Sequence, residues 1–476
     1  MRTAYSAKNW KKIVIISLLT SFSLMAAQGQ AAAASDTGSP QVSAPFASAN
    51  RSAKPDAQSN LQATVQKNQG NTQTEGWANE GHISGNWDGL RKALRDKGID
   101  PFVYWTGIAS GNPVGGAKPG HTTAVDDFYM GVNLDPSKFT DWRGATITIS
   151  GVNRDGRGLT NNYVESIYNS QQCVGGQSLF FYQLFLKQQL DEGKISFKVG
   201  RFGASDDLNA SPIYGNYVNN GINGDIRNVL FDTQSSAYPF ATWAGLLRFD
   251  PSKNFNVQAA IYQTWDNIFN STTNGVDWTI HSDDGVMLMG QVAWTPTFEK
   301  NANGNSSAAQ RLPGHYWLGS TYSPWKGFTQ FTSPEKVANS YGFYVHADQM
   351  VYQKHPGTSQ GLTLWTASAY YPQENIAIVP FQWNAGAIYQ GLFDKRPDDR
   401  EIFGLIYGKF SRDYAHMIIA EGKGDPEYEF VLEAAHRFQL AKFLNIQPDL
   451  QWVKRPAGTG RIPNAVVVGA EMNVVF

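Results

Sequence analysis

The segment Asn464-Ala465-Val466-Val467-Val468-Gly469-Ala470-Glu471-Met472-Asn473-Val474-Val475-Phe476 decides the fold when it is read two residues at a time. Val466, Val468, Ala470, Met472, Val474 and Phe476 fall on one face. Ala465, Val467, Gly469, Glu471, Asn473 and Val475 fall on the other. Side chains of a strand point alternately to its two faces, so this strand is apolar on one side and mixed, with a carboxylate, on the other. It ends on an aromatic, which suits a barrel whose last strand closes against the first and faces lipid.

The same alternation recurs upstream. From Pro101 onward, sixteen candidate strands are expected at about 101–111, 124–134, 143–153, 179–190, 194–203, 240–250, 254–265, 283–295, 313–324, 338–351, 361–371, 376–389, 400–411, 427–438, 443–454 and 464–476. Tyr428, Phe430, Leu432 and Ala434 oppose Glu427, Glu429, Glu433 and Arg437. Leu444, Ile446, Leu450 and Trp452 oppose Asn445, Gln447, Asp449 and Gln451. Short turns, such as 191–193 and 440–442, alternate with long polar connections at 154–178, 204–239 and 266–282. Short periplasmic turns and long outer loops are the habit of outer-membrane barrels. The stretch 296–312 departs from it, being long on the short-turn side. The expected fold is therefore all-β: a transmembrane antiparallel β-barrel of about sixteen strands, both termini periplasmic, preceded by a short N-terminal amphipathic helix. A barrel of this size leaves a water-filled lumen.

Composition limits the alternatives. The chain carries 39 basic and 40 acidic residues, which argues against nucleic-acid binding. Mean hydropathy is −0.37, and no long apolar run follows the N-terminus, so transmembrane helices are not expected in the exported chain. Aromatics reach 13%, as interfacial girdles would require. Residues 1–34 read as a signal peptide: Arg2, Lys8, Lys11 and Lys12 precede an apolar core from Ile13 to Ala27, with small residues at 31–34. Residues 35–80 read as a disordered polar leader. Residues 81–100 hold the short helix, with Leu90, Ala93 and Leu94 on one face, Asn86 as cap and Gly98 at its end. The barrel takes 101–476. The single cysteine, Cys173, sits in an expected loop and makes no internal disulfide.

Several motifs carry a family likeness. Gly85-Asn86-Trp87-Asp88-Gly89-Leu90-Arg91, followed by Leu94 and Gly98-Ile99, resembles the N-terminal signature of the carbohydrate-selective porins, the OprB family. Asn445-Ile446-Gln447-Pro448-Asp449-Leu450-Gln451-Trp452-Val453, then Pro456-Ala457-Gly458 and Pro463-Asn464-Ala465, is similar to that family's C-terminal pattern. Tyr341 to Met350, with Asp348-Gln349, resembles its central strand, and a closing aromatic such as Phe476 is common in outer-membrane barrels. The resemblance runs from about residue 80 to the end. Asp88, where the family often has Gly, the basic stretch 454–461 and the long leader depart from it. It implies a diffusion channel of the Gram-negative outer membrane for glucose and similar small sugars, with no cofactor.

A sugar-selective channel needs charged or amide groups to exchange hydrogen bonds with hydroxyls, and aromatic faces to stack on. Alternation places Lys198, Arg248, Glu427, Glu429, Glu433, Arg437, Asp449 and Glu471 on the inner face. Arg201, between Gly200 and Gly203, is a further pore-lining candidate. For most of these the simpler role is to keep the wall hydrated. Trp105, Tyr182, Trp243, Trp294, Trp317, Trp365, Trp383 and Trp452 are expected in interfacial girdles, and Tyr214, Tyr217 and Trp278 as loop aromatics able to carry sugar. No compact nucleophile signature, calcium loop or phosphate loop is present to support an enzyme or a metal site. Small carbohydrates and outer-membrane lipid are the expected partners, and the outer apolar faces suit either lipid or another protomer of a homo-oligomer. The competing readings are a general or anion-leaning porin and, further off, a barrel enzyme or adhesin.

Overall fold

A computed structural model describes residues 81–476 apart from 176, 267 and 301–309. The expected signal peptide and polar leader lie outside the described residues. Sixteen long strands form one sheet: β1 (Ile99–Val114), β2 (His121–Leu134), β3 (Ala145–Gly156), β4 (Leu179–Leu190), β5 (Ile195–Phe202), β6 (Thr242–Ser252), β7 (Phe255–Thr264), β8 (Gly285–Trp294), β9 (Gln310–Ser323), β10 (Ser340–Gln353), β11 (Gly361–Tyr370), β12 (Phe381–Gln390), β13 (Arg400–Lys409), β14 (Tyr428–Ala441), β15 (Leu444–Lys454) and β16 (Ala465–Val475). Each pairs antiparallel with its sequence neighbours. β1 pairs with both β2 and β16, so the sheet closes on itself. Closure removes the free edges that would otherwise leave backbone groups unpaired in lipid. Phe476 completes the seam: its N–H donates to Val103 O at 3.0 Å, and its ring lies 6.3 Å from Phe128.

All sixteen expected segments are strands. The largest shift is at β12, expected from 376 but formed from Phe381. Ile376 to Val379 are buried, and the Ile378 and Val379 N–H groups donate to the Asp232 carboxyl rather than to a sheet partner. The long connection at 296–312 is partly strand. Thr297–Lys300 pairs with Gln310 to Pro313 and prolongs the β8–β9 hairpin beyond the barrel wall.

Outside, large apolar side chains stand exposed around the wall, among them Val257, Ile261, Leu288, Leu318, Val345, Leu364, Phe403, Leu450 and Val468. An exposed apolar band of this extent is what a membrane-spanning barrel presents on its outside. Among the described residues, no helix is long and apolar enough to cross a membrane.

The N-terminal helix is real but packs differently from expectation. A 3-10 turn at Trp87–Gly89 leads into α1 (Leu90–Asp96). Leu90 is 55% exposed, whereas Arg91 is buried. The Arg91 guanidinium lies 4.2 Å from the Trp87 ring centroid and reaches Pro101 O and Ser84 Oγ. With only about two turns of helix, a cation spread over an aromatic face anchors the segment better than a three-residue apolar stripe. Asn86 makes no side-chain cap.

Candidate functional site

The lumen is occupied by two connections from the long-loop end, 157–178 and 203–241. The second is almost wholly buried, and of the first the stretches 158–160 and 168–175 are buried. Loops that lay over the outside of the barrel would instead be exposed. The second carries a short helix, α2 (Arg227–Thr233), every residue of which is buried. Both are bound to the inner wall by side chains that the alternation directs inward.

Glu429 accepts from Ile167 N–H at 3.0 Å, from Tyr168 N–H at 3.3 Å and from the Ser166 hydroxyl. Glu433 accepts from Val218 N–H at 2.6 Å and Asn219 N–H at 3.0 Å. Arg437 donates to Gly215 O at 3.0 Å and Gln447 Oε1 at 2.6 Å. Gln447 in turn donates to Asn216 O at 2.9 Å. Gln451 links Asn219 of one loop to Ser170 of the other, each at 2.9 Å, and takes up Asp449 at 2.7 Å. Glu471 accepts from the Gln172 amide. Lys198 pairs with Asp207 at 2.7 Å and stands over the Phe185 and Phe202 rings at 4.1 and 4.0 Å. Six of the charged residues singled out in the sequence thus face inward and are buried: Glu429, Glu433, Arg437, Glu471 and Lys198 against the loops, and Asp449 against Gln451 beside it. A buried polar group needs a partner, and for five of the six the loops supply it.

The other three differ. Glu427 lies at the long-loop rim, where it pairs with Arg455 at 3.0 Å. Arg248 faces the short-turn end and binds Asp250 through two nitrogens. Arg201 is a correction. Lys198, Gly200 and Phe202 take the inward side of β5, so Arg201 takes the outward one. It is buried there between Trp243 and Trp278, at 5.8 and 5.7 Å, and donates to Ala241 O at 2.8 Å. Its glycine neighbours suggested a pore position, but strand parity outranks them. Arg201→Gln is expected to leave solute flux unchanged, as measured by uptake into proteoliposomes.

The aromatics also divide by parity. Trp294, Trp383 and Trp452 stand exposed on the outer wall. Tyr182, Trp317 and Trp365, expected in the girdles, are buried on the inner side. Tyr214 and Tyr217 are fully buried in the lumen rather than presented from outer loops. The Tyr217 hydroxyl accepts from Trp365 Nε1 at 2.6 Å and donates to Phe403 O at 2.9 Å. The wall opposite is kept free of side chains to admit these rings. A Cβ on Gly404 would run into the Tyr217 ring and one on Gly408 into the Tyr168 hydroxyl. Gly404→Val is therefore expected to expel Tyr217, costing about 1–3 kcal/mol by overpacking. The check is a lower unfolding temperature together with a higher single-channel conductance.

Two inner-wall clusters escaped sequence reasoning. Arg154 Nε lies 2.8 Å from Asp127 Oδ2 with both side chains fully buried. Arg154 also donates to Gly175 O, and the Tyr238 hydroxyl donates to Asp127 Oδ1, each at 2.8 Å. One ion pair on β2 and β3 thereby fastens both loops. On β9 and β10, Asp348 meets His315 Nδ1 and His346 Nε2, each at 2.9 Å, and His346 Nδ1 meets the Tyr214 hydroxyl at 2.8 Å. With His346 Nε2–H donating to Asp348, Nδ1 is left to accept from Tyr214. The two-residue spacing of His346 and Asp348, and the Asp127 to Arg154 pairing across adjacent strands, were the available signals.

Asp232 on α2 lies outside the spanning strands. Burial pushes its carboxyl up to about 8, against two backbone N–H donors that favour the charged form. A folded-state value above the ordinary 3.8 means the folded barrel binds more protons than the unfolded chain between about pH 4 and 8. Stability then falls as pH rises through that window. The unfolding temperature is expected to drop from pH 5 to pH 9, and Asp232→Asn to flatten that dependence. Among the described residues, no group of three or more His, Cys, Asp or Glu side chains is placed to hold a metal ion.

A closed sixteen-stranded barrel with an apolar outer band and inward-folded, wall-bound loops is the architecture of an outer-membrane porin. The family model for carbohydrate-selective porins, OprB family, matches residues 121–476, and the chain belongs to that family. It is 26% identical over 434 residues to Porin B of Pseudomonas aeruginosa, covering 82% of this chain and 90% of that protein. It is 24% identical over 422 residues to the putative porin QuiX of Acinetobacter baylyi, covering 83% and 93%. A structure of Pseudomonas putida OprB at high pH superposes with a TM-score of 0.76 at 24% identity, covering 84% of this chain and all of that one. The protein is an outer-membrane porin of carbohydrate-selective type.

Proposed function

We propose that the barrel carries glucose and similar small sugars across the outer membrane by passive, gradient-driven diffusion. The short-turn end and both chain ends face the periplasm, and the loop-filled end faces outward. Residues 1–34 serve as the export signal, and 35–80 as a polar leader ahead of the barrel. The exposed outer band lies in lipid. The observation that carries the reading is the pair of loops bound across the lumen by Glu429, Glu433, Arg437, Gln447 and Gln451. They narrow a sixteen-stranded barrel, which would otherwise be wide, and bring amide and hydroxyl groups into the path. A neutral polyhydroxylated solute can replace water at such groups without the desolvation cost that an ion meets there.

The test is solute uptake into proteoliposomes holding the folded barrel. Glucose is compared with an uncharged non-sugar of similar size and with chloride. Faster glucose entry that saturates with concentration is the expected result. Entry ordered by size alone would make this a general porin, and faster chloride entry an anion-leaning one. A folded barrel that passes none of the three would overturn the channel reading.

A further inference from the structure

Inward-facing aromatic rings fall into two groups. In the loop-filled half, Tyr168, Tyr182, Tyr214, Tyr217, Tyr262, Tyr344 and Tyr371 are all buried, at 0–1% exposure. Toward the short-turn end, on β1 and β2, Phe102, Tyr104 and Tyr129 keep part of their surface exposed. These three form one patch. Phe102 and Tyr129 centroids are 5.1 Å apart, Phe102 and Tyr104 6.0 Å, and Tyr104 and Tyr129 6.2 Å with planes 20° apart.

Phe102 is inclined to the other two, by 39° to Tyr104 and 51° to Tyr129, and the patch is held in place by its surroundings. Phe102 is the register partner of Gly131, and a Cβ on Gly131 would come within 2.6 Å of Phe102 Cζ. The Phe102 ring therefore fills the space that the glycine leaves on the inner wall. Tyr129 is fixed by its hydroxyl, which donates to Gln183 Oε1 at 2.8 Å, and by the edge-on rings of Tyr182 and Tyr238. Beside the rings, the neighbouring strands present hydrogen-bonding groups. Thr148 and Asn133 pair at 2.7 Å, and Asn473 links Asn445 and Glu471 at 3.1 and 2.6 Å. Aromatic rings with amides and a hydroxyl beside them match a pyranose, whose C–H face is apolar and whose edge is hydroxylated.

We infer that Phe102, Tyr104 and Tyr129 form a stacking platform for a pyranose ring at the short-turn mouth, in addition to the loop-lined constriction. The inference rests on the sugar-channel reading above. It gives the channel a second, weak binding position where a sugar pauses after passing the loops.

The experiment uses the full chain, folded and reconstituted, with glucose and the linear hexitol sorbitol as probes. Phe102→Leu keeps apolar bulk but removes the ring face, and Phe102→Tyr restores a ring. Phe102→Leu is expected to raise the half-saturating glucose concentration about three- to tenfold, the range an aromatic contact supplies. Salt conductance and sorbitol flux should stay unchanged, and Phe102→Tyr should return the wild-type value for glucose. Wild-type saturation that Phe102→Leu leaves in place would overturn the platform and spare the sugar channel. Equal loss of glucose and sorbitol flux in Phe102→Leu would also overturn it, as a change of pore shape. Glucose flux in the wild type that never saturates would overturn both.

Discussion

Glu433→Ala is expected to widen the channel and abolish its preference for sugar over an uncharged solute of similar size. The Glu433 carboxyl is the acceptor for two consecutive backbone N–H groups, Val218 at 2.6 Å and Asn219 at 3.0 Å, at the point where loop 203–241 crosses to β14. Both donors lie in a site from which water is largely excluded. Each buried N–H left without an acceptor costs about 1–3 kcal/mol. The loop relieves that cost by lifting away from the wall, and Asn219 then leaves Gln451 as well. Planar-bilayer recordings should show a larger and noisier conductance, and proteoliposome uptake should lose its dependence on sugar identity. Glu433→Gln, which keeps one acceptor oxygen, should fall between the two. An alanine variant with wild-type conductance and selectivity would mean that Arg437, Gln447 and Gln451 hold the loop without it.

The second large effect is on stability. Arg154→Ala is expected to lower the barrel's stability by about 3–5 kcal/mol, because it takes away the cation that a fully buried Asp127 faces. The same change frees Gly175 O of loop 157–178 and loosens Tyr238 of loop 203–241. A clear drop should appear in the temperature at which the folded form in detergent converts to the unfolded one. Replacing both partners, as Asp127→Leu with Arg154→Met, should cost less than Arg154→Ala alone, since no buried charge is stranded. If the double variant is the less stable, the pair contributes more than the avoidance of a stranded charge.

What could be read from the sequence follows from one physical fact, the two-residue period of a strand. It placed all sixteen strands. It also put Glu429, Glu433, Arg437, Asp449, Glu471 and Lys198 on the inner face, because a charge on the lipid side is expensive. Where that rule was set aside for a local motif, at Arg201, the residue proved to face outward. Where a residue type was read without parity, as with Trp317 and Trp365, the girdle assignment failed.

The inward fold of the loops had no comparable signal. Loop 203–241 carries Asn209, Asn216, Asn219, Asn220, Asn223 and Asn228, a composition equally suited to water outside the barrel or to a polar wall within it. Hydrogen-bonding capacity is the same in both places, so composition cannot choose between them. The choice depends on whether partners lie within reach, and many of those partners are far away in the chain, 154 residues for Asn228 and Gln382 and 231 for Gln447 and Asn216. Only closure of the barrel brings them together. The sequence by itself thus determined the wall and its two faces, because a periodic pattern is local. The tertiary structure alone decided what fills the lumen, which inner charges bind loop backbone, and which aromatic rings keep an exposed face, because each of these depends on contacts between distant strands.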